Sequence, residues 1–323
     1  MNESLQNLTT DEIYELYSAH SKKHGYERIT PKIEEIIIKK GRWARDYLIS
    51  LYEQRTDVWE EYKKFILEQI NREIKIEDVK LFEHPQGSSS AKDKVRKKPS
   101  LWSHELSKEP ATVEVAAANH YRNQGYEVSL SFSLFERVLL RAYVLSRYSA
   151  KDPAWLHRDE PEKMIDINIV DFDSFSKSLN VTIIMNLKEF KKFSMMGGPL
   201  ANREKLAKLK AMPKIERDEL LEAEFCNWIV MGSSTLGELK DKLIEAHRIL
   251  PRNFLSNYFI HSSLYGIRSG IPDLFIWNKT GLDFVEVKSP NDKLHHNQAK
   301  FYHFILKRIG MKYNVAKIVS SKY

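Results

Sequence analysis

Three residues near the C-terminal end of the chain have the types and spacing to act together chemically: Asp273, Glu286 and Lys288. They lie in two runs rich in β-branched and aromatic residues, 271–277 and 282–288. The four residues between these runs, Asn-Lys-Thr-Gly, are typical of a turn. The sequence therefore predicts a β-hairpin that carries two carboxylates and an ammonium group.

The length of the turn predicts the register of the hairpin. If the turn closes symmetrically, Trp277 pairs with Leu282, and Asp273 then lies opposite Glu286 with Cβ atoms about 5 Å apart. Side chains alternate between the two faces of a strand, so Lys288 shares the face of Glu286. We therefore expect all three charged groups on one face.

Two facing carboxylates repel each other, which predicts a positive charge between them. Oxygen ligands from Asp273 and Glu286 suit Mg²⁺ or Mn²⁺, whereas Zn²⁺ more often recruits His or Cys. Such an ion activates water and neutralises charge on a scissile phosphate, while Lys288 positions the nucleophile or stabilises the transition state. The alternative is a surface hairpin with an ordinary ion-pair cluster.

The residues after the hairpin predict a helix and one more strand. Ser289 and Pro290 are typical of the first positions of a helix, and a strand is predicted over 312–319. Gln298 lies on the apolar stripe of this helix, so we expect its amide to face the sheet near the carboxylates. The stripe consists of Leu294, Phe301, Tyr302, Ile305 and Ile309.

Taken in order, these segments resemble the VRR-NUC branch of the PD-(D/E)xK nucleases, in particular the Fanconi-associated nuclease type. The matching runs are Arg268-Ser-Gly-Ile-Pro-Asp273, Phe284-Val-Glu-Val-Lys288, Ser289-Pro-Asn-Asp-Lys-Leu294 and Gln298. The resemblance implies an α/β (α+β) fold with a restriction-endonuclease-like PD-(D/E)xK nuclease core. It also implies a metal-dependent nuclease that cuts DNA at flaps or other branched structures in DNA repair.

The resemblance also implies one more acidic ligand from an upstream element. In the Fanconi-associated type that glutamate precedes a Leu-aromatic pair by seven residues, and Glu127 precedes Leu134-Phe135 by the same distance. The His and Gly that flank it in the family are absent, which leaves Glu114 as a rival. The implied metal ligands are Glu127, Asp273, Glu286 and Val287, the catalytic residues are Glu127, Asp273, Glu286 and Lys288, and the DNA-binding or supporting residues are Arg268, Gln298, Lys97 and Lys98.

The chain divides into three predicted regions. Residues 1–83 predict a helical N-terminal region, and 84–110 predict a basic, flexible linker. Residues 111–323 form the predicted nuclease domain, with its core motifs at 265–319. The basic run of the linker, which includes Lys97 and Lys98, is either a phosphate-binding segment or a solvated linker.

Within the predicted nuclease domain, apolar spacing indicates helices and one additional strand. Helices are predicted over 111–124, with Gly125 ending the helix, and from 132 to at least 143. Residues 180–184 predict a strand, and 235–249 predict a further helix.

Composition permits nucleic acid as a partner. The 323 residues are 42% hydrophobic and carry a net charge of +7, a moderate bias toward polyanions. Cys226 is the single cysteine, and the sequence lacks a long apolar run. We expect a reducing compartment, either the cytoplasm at the nucleoid or the nucleus, and no membrane partner.

Besides the structure-specific nuclease, a second enzyme function and a third, non-enzymatic function stay open at this point. The same catalytic core serves Holliday-junction resolvases and restriction-like defence nucleases, because fold alone does not select the substrate. A catalytically silent DNA-binding module is the third possibility. Flap polarity, the choice between DNA and RNA, and the oligomeric state are also open.

Overall fold

The computed structural model describes residue 12 and residues 67–68, 70–84, 100–105, 109–148, 161–164, 166–196, 203–265, 269–290 and 292–321. A mixed six-stranded sheet with helices packed on both faces forms the centre of this part of the molecule. The architecture is therefore mixed α/β, as predicted. In the part of the chain that the structure describes, no helix is both long and apolar enough to span a membrane.

The sheet has the strand order β2-β1-β6-β5-β4-β3. Strand β6 runs parallel to both of its neighbours, β1 and β5, and the other adjacent pairs are antiparallel. The strands are β1 Lys75–His84, β2 Leu101–Ser103, β3 Glu127–Ser129, β4 Leu274–Asn278, β5 Gly281–Lys288 and β6 Tyr313–Ser321.

Eight α-helices lie in the described ranges, together with a short 3₁₀ turn at Pro161–Met164. The last α-helix continues directly into a π-helical turn at Tyr302–Leu306. The helices are α1 Val113–Asn123, α2 Phe132–Tyr148, α3 Phe172–Met196, α4 Arg203–Ala211, α5 Lys214–Ile229, α6 Leu236–Ile249, α7 Phe254–Tyr265 and α8 His296–Phe301.

Hydrophobic side chains pack on both faces of the sheet. Phe275 and Trp277 of β4 point into the larger core, which helices α2, α3, α5, α6 and α7 cover. Leu274 and Ile276 of the same strand point into the smaller core, where α1 contributes its alanines at 116–118. This alternation follows the period of a β-strand and places a helix layer on each side.

Local capping explains why several helices begin and end where the sequence predicts. The Thr112 hydroxyl accepts a hydrogen bond from the Val115 amide at the start of α1, and Gly125 follows its end with φ 85°. At α6, Thr235 and Glu238 form a capping box. The helices predicted over 111–124, 132–143 and 235–249 are thus confirmed with shifts of a few residues or extensions.

The strand predicted over 180–184 is wrong, because this segment lies inside α3. Its β-branched residues favour a strand locally, but the surrounding sequence has helical spacing. Phe175, Leu179, Ile183 and Leu187 recur every four residues and are all buried on one face of α3. Burial of that stripe outweighs the local β-propensity.

The predicted boundary between a helical region and a linker at residues 83–84 also needs correction. Residues 75–84 are strand β1, which pairs in parallel with β6 over eight residues. Strand β2, inside the predicted linker, pairs with β1. Residues 67–68 and 70–73 are helical as predicted. The other helices predicted for the N-terminal region and the basic run of the linker lie outside the described residues.

Strand β1 is therefore an integral part of the central sheet, and substitutions in it test this assignment. Leu81 is fully buried and Ile76, on the same strand, is 56% exposed. We expect Leu81→Ala to lower the free energy of unfolding by about 2–5 kcal/mol, and Ile76→Ala to lower it by less than about 1 kcal/mol. Urea unfolding monitored by tryptophan fluorescence measures both. Equal, small effects would separate β1 from the cooperative core.

Candidate active site

The hairpin has the register that the sequence predicts. Trp277 pairs with Leu282 across the turn, and Leu274 pairs with Val285 at the other end of β4. The next position along both strands brings Asp273 opposite Glu286. The two carboxylates therefore share one face of the sheet, at the end of the hairpin away from the turn.

Each carboxylate is held by a different set of donors. The amide of Val287 donates to Asp273 Oδ2 at 2.9 Å. Glu286 Oε1 accepts a hydrogen bond from Gln298 Nε2 and lies 3.0 Å from Lys288 Nζ. Glu286 is 2% exposed and Lys288 is 4% exposed, so this ion pair is almost completely removed from water.

Lys288 also contacts a carboxylate that the sequence analysis did not single out. Asp292 Oδ2 lies 3.6 Å from Lys288 Nζ, four residues along the chain. The buried ammonium therefore lies between Glu286 and Asp292. The sequence signal for this contact is an acidic residue four positions after the lysine.

Burial and mutual repulsion dominate the electrostatics of the pair. Burial, followed by the charge of Asp273, raises the pKa of Glu286 to about 8, although Lys288 opposes the shift. Burial also raises the pKa of Asp273, while its hydrogen bond from the Val287 amide opposes this shift. A cation between the carboxylates would compete with the proton, so we expect cation binding to strengthen as the pH rises.

Gln298 reaches the carboxylates, as predicted, but the helix that carries it begins later than predicted. Residues Ser289 and Pro290 lie in a loop, and α8 begins at His296. Gln298 Oε1 accepts a hydrogen bond from the His295 amide at 2.8 Å, while its Nε2 donates to Glu286. The same side chain thus caps the helix and orients the carboxylate. This capping box replaces the predicted start at Ser289.

Gly270 sets the path of the chain into the site. It has φ 82°, and a Cβ atom at this position would lie 2.2 Å from the carbonyl oxygen of Asn297. The loop before Asp273 therefore packs directly against the first turn of α8. This close approach joins the segment that carries Asp273 to the segment that carries Gln298.

The predicted upstream ligand, Glu127, does not reach this site. It lies opposite Trp277 in the β3–β4 pairing, four residues from Asp273, or about 13 Å along the strand. Its carboxylate forms an ion pair with Lys242 of α6. The seven-residue spacing to Leu134-Phe135 exists, but the strand register takes Glu127 toward the turn end of the hairpin.

Glu114 is the alternative upstream ligand considered from the sequence, and its charge acts on Asp273. It occupies the first turn of α1, and its charge raises the pKa of Asp273. Of the two glutamates, Glu127 is paired with Lys242 and Glu114 acts on the ionisation of Asp273.

The donors of this site suit a hard divalent cation. Glu286 Oε2 is buried and has no hydrogen-bond partner among the described residues, which leaves one carboxylate oxygen available as a ligand. Val287 can offer only its backbone carbonyl. The described residues contain no preformed group of three His, Cys, Asp or Glu side chains, so waters and substrate oxygens would complete the coordination, as is usual for Mg²⁺.

Three other predicted residues, Arg268, Lys97 and Lys98, lie outside the described residues. Their assignment to DNA binding or support of the site therefore stays a prediction from the sequence.

A mixed sheet whose central hairpin presents an aspartate, a glutamate and a lysine in this arrangement defines the PD-(D/E)xK class of nuclease fold. Residues 210–319 match the family described as the VRR-NUC domain. The resemblance noted in the sequence is confirmed for this part of the chain. The matched range includes β4, β5, α8 and most of β6, which contribute Asp273, Glu286, Lys288 and Gln298.

Two crystal structures of paFAN1 are similar to this chain. One, bound to DNA with a one-nucleotide 5′ flap and a gap, has a TM-score of 0.39 and 16% identity over 88% of this chain and 47% of that chain. The other, with a two-nucleotide 5′ flap and a gap, has a TM-score of 0.38 and 14% identity over 97% and 55%. The chain spans about half the length of these structures. No curated protein matches the sequence.

The close contact at Gly270 predicts a strong effect of adding one methyl group. We expect Gly270→Ala to destabilise the protein by about 2 kcal/mol or more, because alanine disfavours the left-handed conformation and its Cβ meets Asn297. Gly281, at the hairpin turn, has open space around it and no left-handed φ, so Gly281→Ala is the matched control. Thermal unfolding of both variants measures the difference. Similar melting temperatures would contradict the role of Gly270.

Proposed function

We propose that this protein is a metal-dependent, structure-specific DNA nuclease that hydrolyses phosphodiester bonds at flaps or other branched structures. The observation that carries the proposal is the facing pair of the half-buried Asp273 and the buried Glu286, with the buried Lys288 beside it. A repelling pair of carboxylates with an oxygen that has no partner among the described residues is costly for stability and well suited to hold a cation. The VRR-NUC match at 210–319 supports the same reaction class.

Mg²⁺ or Mn²⁺ is the proposed cofactor, held by Asp273, Glu286, the carbonyl of Val287 and Glu114. When bound, such an ion lowers the pKa of a coordinated water and neutralises charge on the phosphate. The protein contributes the orientation of its ligands. The Val287 amide fixes Asp273, and Gln298 fixes Glu286, so the ligand oxygens are aligned before the substrate arrives.

Lys288 supplies the fixed positive charge of the proposed reaction. Its ammonium lies between Glu286 and Asp292 at 3.0 and 3.6 Å, and its burial keeps it from being screened by water. In this position it orients the attacking water and stabilises the negative charge that develops on the phosphate in the transition state. Exchange for glutamine would remove the charge and keep much of the volume.

Recognition is proposed to depend on DNA structure rather than on base sequence. The candidate site is one face of a hairpin, and the sequence contains no recognisable base-reading motif. Such a site reaches a phosphate most easily where the backbone is exposed and bendable, as at flaps and junctions. The net charge of +7 favours binding to the phosphate backbone.

The ion pair of Glu127 with Lys242 and the effect of Glu114 on the pKa of Asp273 support Glu114 as the upstream ligand. We expect Glu114→Gln to reduce cleavage roughly a hundredfold, because it removes a charged ligand, whereas Glu127→Gln changes it little. Initial rates at saturating Mg²⁺ and a Mg²⁺ titration of each variant measure this. A stronger defect in Glu127→Gln would return the ligand role to that residue.

Cleavage of one labelled sequence in several forms tests the function itself. We expect 5′-flap, 3′-flap or four-way-junction DNA to be cut faster than linear duplex at matched salt with Mg²⁺ or Mn²⁺, and 5′ flaps to be preferred. Asp273→Ala should reduce the activity roughly a hundredfold or more. This control separates cleavage by the protein from cleavage by contaminating nucleases.

Each other outcome of this assay selects a different function. Equal rates on linear and branched DNA, or cutting at one short sequence, would favour a restriction-like nuclease. Symmetrical cutting confined to four-way junctions would favour a resolvase. Binding without cleavage by any metal would favour the silent DNA-binding module, and full activity of Asp273→Ala would remove the proposed site.

A further inference from the structure

One tyrosine lies next to the candidate site on the neighbouring strand. Tyr313 is the first residue of β6 and pairs with Phe284, two positions before Glu286. Paired residues of adjacent strands point to the same face, and so do residues two apart on one strand. Tyr313 therefore shares the face of Glu286, and it is 3% exposed.

Two complementary polar atoms are left unpaired at this place. Among the described residues, neither the Tyr313 hydroxyl nor Glu286 Oε2 has a hydrogen-bond partner, and both atoms are buried. The hydroxyl is a donor and the carboxylate oxygen is an acceptor. Native proteins rarely leave such groups unpaired in the interior, because their lost contacts with water are not replaced.

The hydroxyl and the carboxylate are close enough to influence each other. Burial raises the pKa of Tyr313, and the charges of Glu286 and Asp273 raise it further. A tyrosine hydroxyl carries its proton near neutral pH and can donate a hydrogen bond. The other oxygen of Glu286 is already occupied by Gln298 and Lys288, so Oε2 is the acceptor that is free.

We propose that Tyr313 is a positioning residue for Glu286: its hydroxyl donates to Oε2 and fixes the plane of the carboxylate, while Gln298 and Lys288 fix Oε1. A carboxylate held at both oxygens presents a defined lone pair to a cation and loses less orientational freedom when it binds. This inference deepens the proposed function and rests on it for the role of the cation. The hydrogen bond itself belongs to the metal-free protein.

The test removes only the hydroxyl, in Tyr313→Phe. Tyr302→Phe is the matched control, because its ring lies 5.6 Å from that of Tyr313 and its hydroxyl donates to Glu73 at 2.9 Å rather than to the site. Mn²⁺ binding by the DNA-free protein is measured by titration calorimetry. We expect Tyr313→Phe to weaken Mn²⁺ affinity about tenfold, and Tyr302→Phe to leave it unchanged.

A second readout examines the hydrogen bond without metal. Tyr313→Phe is compared in the parent protein and in Glu286→Ala by urea unfolding with a chelator present. If the hydroxyl donates to Glu286, its removal lowers the unfolding midpoint of the parent and has no such effect in Glu286→Ala. Tyr302→Phe should have the same effect in both backgrounds.

The outcomes separate this inference from the proposed function. Unchanged Mn²⁺ affinity in Tyr313→Phe, or equal effects of this substitution in both unfolding backgrounds, would overturn the positioning role. If the parent protein neither binds Mn²⁺ nor cuts DNA, the proposed function fails. In that case the unfolding comparison still decides whether Tyr313 bonds to Glu286.

Discussion

The repulsion between two facing carboxylates is the interaction on which the arrangement of the site depends. Strand pairing forces Asp273 and Glu286 to face each other, and Glu286 is buried while Asp273 is half-buried. The Val287 amide and Lys288, both from β5, and Gln298 from α8 compensate them. The loop at Gly270 and the first turn of α8 are packed together so that these groups converge. The electrostatic consequence is that burial and the charge of Asp273 raise the pKa of Glu286 to about 8.

The hairpin and its register were predictable because their determinants are local. A four-residue turn between two β-rich runs leaves few possible pairings, and each pairing specifies which side chains share a face. The apolar stripe of the following helix, also a local feature, located Gln298 on the inner face of that helix. Helices α1 and α6 were predictable for a similar reason, since Thr112 and Thr235 are strong local caps.

The parts that the sequence did not predict correctly depend on distant contacts. Strand β1 carries many charged residues and is specified by pairing with β6. Ser289-Pro290 is a good local helix start, but the helix begins at His296. Gln298 caps it there and also donates a hydrogen bond to Glu286. The position of Glu127 follows from the β3–β4 register. This register cannot be predicted by counting residues along the chain. No pattern in the sequence indicates a role for Tyr313. Its proposed role rests on a buried hydroxyl that has no hydrogen-bond partner among the described residues.

The position of β6 in the sheet has a consequence for how the protein folds. This strand lies between β1 and β5, and Lys75 of β1 pairs with Asn314 of β6. The two strands are far apart in the sequence, and closing so long a loop has a high entropy cost. We therefore expect the β1–β6 pair to form late in folding, after the local hairpin of β4 and β5.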